Sequence, residues 1–306
     1  MEHIVFETKQ LRIFKAIVEV GSFTGAGEAL GLSQPAISQH VRALEESAGV
    51  PLLVRVGKST RPTPAGEVLL HCARQVLERV DSAGRMLAEH AHGRVGVVRI
   101  GTPEVPCNYL LPPVLVELKR RFPKIDVRVV SGHTAVTLGR LGGGEIELAL
   151  VPLPADTGRL RVLETGRDEL VAIVPRSHAW TGLPWVAARE FERQPLILYD
   201  RASQITDLTL AFLLDEGVFP RVAVEIDHIE AVKELVRGGL GVAVVPWWAA
   251  RRELAEESLM AVRLGPTGLS RTWGLVYPES RALPAALRAL VTLFAESLPP
   301  LFARAA

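Results

Sequence analysis

Over roughly the first third of the chain, apolar positions recur every three or four residues; beyond it they gather into short runs. Leu11, Phe14 and Val18 share one stripe, which predicts a first helix with Thr8 at its cap. Phe23, Ala26 and Leu30 form the apolar face of a second helix, and Ile37, Val41 and Leu44 that of a third. Ser22 and Ser33 each precede one of these stretches and suit the N-cap, where a hydroxyl satisfies an orphaned backbone N–H. The linking turn, Leu30-Gly31-Leu32, is too short for anything but an angled helix pair, so a helix-turn-helix is predicted. A hairpin follows, carrying Arg55, Lys58 and Arg61 with no acid between them. Thr63-Pro64 then supplies an N-cap and a proline at the first helical position. The helix it opens runs for roughly 28 residues to the vicinity of Gly93, about 40 Å at the usual rise. Leu69, Cys72, Val76, Val80, Ala83 and Leu87 make its a/d seam, and the least demanding cover for such a seam is a second copy of the chain.

From Arg94 onward short apolar strands alternate with helical patterns. Strands are predicted over Val95–Gly101, Ile125–Val130, Leu148–Val151, Leu170–Val174, Leu196–Tyr199, Val222–Ile226, Val242–Val245 and Arg271–Val276. Helices are predicted over Leu110–Phe122, Thr206–Glu216 and Ile229–Arg237. This alternation predicts parallel sheets covered on both faces, with ligands bound beyond the carboxyl ends of the strands.

The chain of 306 residues is long enough for about two domains, and 48% hydrophobic against 23% charged residues is enough to build packed cores. A net charge of +1 advertises no polyanion partner, so affinity for DNA has to come from local clusters such as Arg55, Lys58 and Arg61. No apolar run approaches the roughly 20 residues that cross a bilayer, and the start, MEHIVFETKQ, lacks the plan of a signal peptide. A cytoplasmic protein without a membrane partner is expected. The two cysteines, Cys72 and Cys107, form no metal or redox motif, and Cys72 on its apolar stripe is expected to be buried and inert.

The second helix of the pair carries recognition chemistry. Gln34, Ser38 and Arg42 fall at i, i+4 and i+8, on one face. Gln and Arg pair bidentately with adenine and guanine edges, and the helix starts at a capped end that favours phosphate. Phe14, Gly21-Ser-Phe-Thr24, Ser33-Gln-Pro-Ala-Ile-Ser-Gln39, Leu44-Glu-Glu46, Gly49-Val-Pro-Leu52 and Thr63-Pro-Ala-Gly66 together resemble the signature of the LysR-type transcriptional regulators. The likeness continues in Arg99-Ile-Gly-Thr102, Tyr109-Leu-Leu-Pro112, Phe122-Pro123, the stretch Gly144 to Leu150, and the stretch Gly238 to Pro246. It implies a multidomain chain: an all-α winged helix-turn-helix over 1–63, a dimerising linker helix over 64–93, and an effector-binding regulatory domain over 94–306. The last would have the two-lobe α/β fold of periplasmic binding proteins, with lobe one at 94–165 and 266–306 and lobe two at 166–265. Ser33, Gln34, Pro35, Ser38, Gln39 and Arg42 would then meet the major groove of double-stranded promoter DNA, and Arg55, Lys58 and Arg61 its phosphates. A homodimer through the linker helix, a homotetramer, RNA polymerase and a small-molecule effector are the implied partners. Gly25 and Gly27 depart from the family pattern; they predict a looser domain with one phosphate contact missing.

By the same resemblance, the effector cleft would be lined by Thr102 and Pro103, by Ser131, Gly132 and Thr134, and by Ser203 and Gln204, with His228 as a further candidate. Hydroxyls and helix starts suit a small anion, an organic acid or an amino-acid-like molecule. Glu104 would repel such an anion unless a cation such as Arg201 pairs with it; pointing inward, it would favour an amine. Gly239-Leu-Gly and Gly142-Gly-Gly144 follow helical stretches and predict helix termination, not nucleotide loops. His71, His90 and His92 have no ligand spacing, and no GxSxG, HExxH or P-loop occurs, so no metal, cofactor or catalysis is expected. A solute-binding protein and an α/β enzyme with a helical appendage remain as alternatives.

Overall fold

A computed structural model describes residues 6–56, 59–91, 97–279 and 283–303. The chain forms two compact units, one over Met1–Gly93 and Gly142–Glu145 and the other over Arg94–Leu141 and Ile146–Ala306.

In the first unit three helices, α1 (Thr8–Val20), α2 (Phe23–Leu30) and α3 (Gln34–Ala48), precede a hairpin of β1 (Leu53–Val56) and β2 (Ser59–Pro62), and α4 (Pro64–Ala91) follows. The cap of α1 is Glu7 rather than Thr8: its N–H donates to Gln10 Oε1 at 3.1 Å, leaving Thr8 as the first helical residue. Ser22 caps α2 as predicted, accepting from the Gly25 N–H at 3.0 Å. Ile13, Ile17, Ala26, Ile37 and Val41 close one core cluster. Leu30, expected on the buried face of α2, is 39% exposed, and Gly27 is buried in its place. A Cβ on Gly27 would stand 2.7 Å from the Leu32 carbonyl oxygen, so the absent side chain is what lets the turn fold this tightly against α2.

Thr63 caps α4 through a 3.0 Å bond from the Gly66 N–H. Leu70, Ala73 and Leu77 of this helix pack against Leu11, Phe14, Leu44 and Leu52. That contact rotates the expected seam outward: Val76 and Val80 are 44% and 43% exposed, Val68 more so, and Cys72 is exposed rather than buried. The side chain of Leu87 lies outside the described residues.

The second unit begins with β3 (Val97–Thr102), α5 (Glu104–Tyr109), α6 (Leu111–Arg121), β4 (Asp126–Ser131), α7 (Thr134–Gly143) and β5 (Leu148–Leu153). The chain then crosses on the long β6 (Arg161–Val174) into β7 (Pro195–Tyr199), α8 (Gln204–Leu214), β8 (Arg221–Ile226), α9 (Ile229–Arg237), β9 (Val242–Pro246), α10 (Arg251–Ala255) and β10 (Met260–Arg263). It returns on β11 (Leu269–Tyr277) and ends in α11 (Ala285–Phe302). The strands run in the order β4-β3-β5-β11-β6-β9-β7-β8, with β10 also on β6. Parallel pairing, predicted throughout, holds for β3 with β4 and β5 and for β7 with β8 and β9. The crossing strands overturn the rest: β11 runs antiparallel to β5 and β6, and β9 and β10 antiparallel to β6. A chain that leaves one lobe and later returns must lay its two crossing strands in opposite directions, and only the flanking strands keep helical crossovers.

Two lobes thus share the β6–β11 ladder. Its register shifts between Trp273 and Gly274, opposite Gly166. Gly166 has φ +141, open only to glycine, and a Cβ there would meet the Phe302 ring at 3.0 Å. α11 is long and apolar enough by composition to cross a membrane, but Leu290, Leu293, Phe294 and Leu298 are buried in the core, so its hydropathy serves packing. The predicted glycine terminations stand: α7 gives way to Gly144 at φ +83, and α9 to Gly238 and Gly239, the latter at φ +77.

Candidate functional site

In the first unit, α3 spends one face on the core through Ile37, Val41 and Leu44 and leaves the other free. On the free face Gln34 Nε2 donates to Ser38 Oγ at 3.2 Å. Ser33 occupies the N-cap, as the sequence predicted, yet its hydroxyl makes no cap bond. Pro35, Gln39 and Arg42 are exposed. The hairpin stands beside α3, tied to the end of α1 by a 2.8 Å bond from the Thr60 N–H to the Gly21 carbonyl. Between them lies a concavity of about 530 Å³, lined by Ser22, Thr24, Gln34, Ser38 and Arg55 among others. Glu45 also borders it, but its Oε1 accepts from the Leu52 and Leu53 N–H groups at 2.8 and 3.2 Å, which occupies its charge.

The hairpin register sets Arg55 opposite Thr60 and Arg61 opposite Val54. Successive residues of a strand face opposite sides, so Arg55 and Arg61 serve different faces of the ribbon. Only Arg55 joins Gln34 and Ser38, while Gln39, Arg42 and Arg61 lie exposed outside the concavity. Lys58 lies outside the described residues.

In the second unit a cleft of about 240 Å³ opens between the lobes. Register sets Thr102 beside Ser131 where β3 and β4 end, and Tyr199 beside Ile226 where β7 and β8 end, so the cleft meets the carboxyl ends of both parallel pairs. Lobe one contributes Pro103, Glu104, Ser131, Gly132, His133 and Thr134; lobe two contributes Tyr199, Asp200, Ser203, Gln204 and Asp227. Arg271 and Trp273 of the crossing strand β11 line it as well. Ser203 caps α8, its Oγ accepting from the Ile205 N–H at 3.2 Å. Three contacts span the lobes here: His133 Nδ1 to Asp200 Oδ2 at 3.3 Å, His228 Nδ1 to Glu104 Oε1 at 3.2 Å, and Gln204 Nε2 to the Leu153 carbonyl at 3.2 Å.

Pro103, Ser131, Gly132, Thr134, Ser203 and Gln204 therefore meet at one place, and two predicted residues do not. Thr102 is fully buried, its hydroxyl donating to the Leu150 carbonyl at 2.9 Å; it fastens β3 to β5 and does not face the cleft. His228, at the N-cap position of α9, is exposed outside the lining and meets it through Glu104. The suggested Glu104–Arg201 pair does not form, because Arg201 pairs with Glu225 on β8. Sequence reading missed His133, Asp200, Asp227, Arg271 and Trp273. The first three follow strand ends, where the carboxyl-end rule could have found them; the last two lie inside a strand, away from its carboxyl end.

Under the cleft Asp168 is buried on β6. It accepts from Arg271 Nε at 2.9 Å, Arg271 Nη2 at 2.8 Å and Trp248 Nε1 at 2.8 Å. A second buried charge pair, Lys233 Nζ with Glu253 Oε1 at 3.0 Å, lies behind α9 in lobe two. The Tyr109 hydroxyl of lobe one donates to Glu230, and the Lys233 ammonium stands 5.1 Å from the Tyr109 ring centre. Burial and then Glu230 push the Tyr109 phenol well above its ordinary value.

A helix-turn-helix with a basic hairpin, joined in one chain to a two-lobe α/β unit with a cleft between its lobes, is the build of a ligand-responsive DNA-binding protein. Residues 8–67 match the model of the bacterial regulatory helix-turn-helix protein, lysR family, and residues 91–299 the LysR substrate binding domain. The chain belongs to the LysR family: it is a DNA-binding transcriptional regulator with an effector-binding domain, not an enzyme or a solute carrier. It is similar to a probable RuBisCO transcriptional regulator of Gracilaria tenuistipitata var. liui, 29% identical with 96% of this chain and 98% of that one covered. A protein of the same description from Nostoc sp. is 29% identical, with 99% and 90% covered. Among solved structures, full-length CbnR complexed with its target DNA shares the fold at a TM-score of 0.70, 23% identity and 95% and 100% coverage.

Proposed function

We propose that this chain regulates transcription by reading promoter DNA with α3 and the hairpin while a small effector, bound between the lobes, sets the geometry of that reading. Residues 1–63 would bind DNA, 64–93 pair two chains and 94–306 sense the effector. The carrying observation is α3 itself: its apolar face is used up in the core, and Gln34 and Ser38 stand free beside Arg55. The apolar stripe of Val76 and Val80, exposed on α4 beside its buried contacts, supports a homodimer, and pairs of dimers make the homotetramer. Effector binding shifts the equilibrium of lobe closure, which changes the angle between DNA-binding pairs, the bend of the DNA and the access of RNA polymerase. Such a regulator works in the cytoplasm, on nucleoid DNA. The names of its relatives support RuBisCO genes as one target to test.

The experiment is a gel shift on two promoters, the one upstream of the protein's own gene and one upstream of RuBisCO genes. Gln34→Ala and Arg42→Ala should each weaken binding by about 1–3 kcal/mol, with the loss confined to one base position. Unchanged affinity and footprint in both variants would remove α3 from the major groove.

A further inference from the structure

The cleft between the lobes is bordered by carboxylates, and two buried polar atoms of its lining have no partner among the described residues. Glu104 comes from lobe one, Asp200 and Asp227 from lobe two. Their combined field is felt by Tyr199, whose phenol is pushed well above its ordinary value by burial first and by these three charges next. The guanidinium of Arg271 does not balance them, because Asp168 engages it at two nitrogens. Asp200 and Glu104 each face a histidine, whereas Asp227 makes no hydrogen bond or ion pair among the described residues. A plain anion would enter against this charge; a cation would be drawn in.

The unpartnered atoms refine the demand. Gln204 gives its Nε2 to the Leu153 carbonyl, which fixes its Oε1 as an acceptor, and that Oε1 is buried without a donor. Trp273 is 1% exposed and lines the cleft, and its indole N–H has no acceptor among the described residues. Buried polar groups left single in a native fold call for a partner from outside the chain. One lacks a donor and the other an acceptor, so a ligand that completes both carries both. Ser131 and Thr134, the latter opening the ten-residue helix α7, add donors and a helix dipole on the lobe-one side. The volume of about 240 Å³ has room for a small molecule.

Resting on the reading of this cleft as the effector site, we propose that its ligand belongs to the amino-acid class. An ammonium faces Asp227, Glu104 and Gln204 Oε1, and a carboxylate or carbonyl faces the Trp273 N–H and the hydroxyls of Ser131 and Thr134.

The test is calorimetric titration of the full-length protein with the twenty proteinogenic L-amino acids. Succinate, benzoate and butylamine serve as controls that carry charge of one sign only. At least one amino acid should bind, and its analogues lacking the amine or the carboxylate should bind at least tenfold more weakly. Asp227→Asn, at an exposed position that does not threaten folding, and Gln204→Leu should each weaken it about tenfold or more. Failure of every amino acid to bind overturns the proposal, as does equal binding of a hit and its amine-free analogue. Binding of succinate or benzoate that Ser203→Ala weakens and Asp227→Asn leaves unchanged overturns the amino-acid class yet keeps the cleft as the effector site. Amino-acid binding indifferent to Ser203→Ala, Asp227→Asn and Gln204→Leu alike removes the cleft itself.

Discussion

Replacing Arg271 with methionine should destabilise the regulatory unit far more than the loss of one surface charge. The Asp168 carboxylate is 0% exposed and the Arg271 side chain 4% exposed, so neither ion has water to fall back on. Removing one partner of such a pair leaves the other as an uncompensated buried charge, which costs about 3–5 kcal/mol. Trp248 Nε1, 2.8 Å from Asp168, remains as a donor but neutralises nothing. In the double variant Arg271→Met, Asp168→Leu no charge is stranded; only the Trp248 N–H loses its acceptor, at about 1–3 kcal/mol. The double variant should therefore be more stable than Arg271→Met alone, a non-additivity expected of a direct pair. Tryptophan fluorescence on urea titration of the full chain reads this out, because all five tryptophans (Trp180, Trp185, Trp247, Trp248 and Trp273) belong to the regulatory unit. With a slope of about 2–3 kcal/mol per molar urea, the single variant should lower the midpoint by about 1–2 M. A single variant within about 0.5 kcal/mol of wild type, or a double variant less stable than either single one, would refute the reasoning.

Arg55→Ala and Arg61→Ala should each weaken binding on all DNA sequences alike and flatten the salt dependence by about one unit; a changed base preference with an intact salt slope would contradict phosphate contact. Val76→Asp should split the dimer, since pairing along α4 would bury an unpaired ion; unchanged sedimentation would refute that seam. Burial pushes the Glu253 carboxyl up, but hydrogen bonds from Lys233 and the backbone and the charge of Lys233 outweigh it, leaving it below the usual range. A carboxylate depressed in the fold contributes stability that is present above its unfolded value, about 4.3, and lost as pH falls through the folded one. The stability gap between wild type and Glu253→Gln should accordingly narrow between pH 5 and about pH 3. An equal gap at pH 7 and about pH 3 would count against this assignment.

Local chemistry was legible wherever a short stretch decides its own structure. Ser22, Thr63, Gly144 and Gly239 act within three or four residues of their own position, and their roles followed from capping and turn rules alone. The Gln34–Ser38 face was legible for the same reason: helical periodicity fixes which residues share a side. Thr8 failed as a cap because Glu7 and Gln10 offered a competing local bond, a contest between neighbours that propensity does not settle.

What lies further apart in sequence had to wait for the tertiary structure. The seam of α4 reads as one apolar stripe, but packing consumes Leu70, Ala73 and Leu77 and leaves Val76 and Val80 outside. Thr102 ends a strand at the cleft as predicted, and the neighbouring strand β5 then takes its hydroxyl. The cleft's charge was undecidable from the chain alone: Glu104 and Asp227 are 123 positions apart, and only the folding of two lobes about β6 and β11 sets them at one opening. Arg271 and Asp168 are buried on the two crossing strands, where each alone would be an error and together they form a buried pair. The sequence by itself determined the helix-turn-helix, the alternating α/β half and the family, because caps, periodicity and turn residues act over a few positions. The tertiary structure decided the antiparallel crossing strands, the outward turn of the α4 stripe and the acidic cleft, because non-local contacts set burial and the meeting of distant charges.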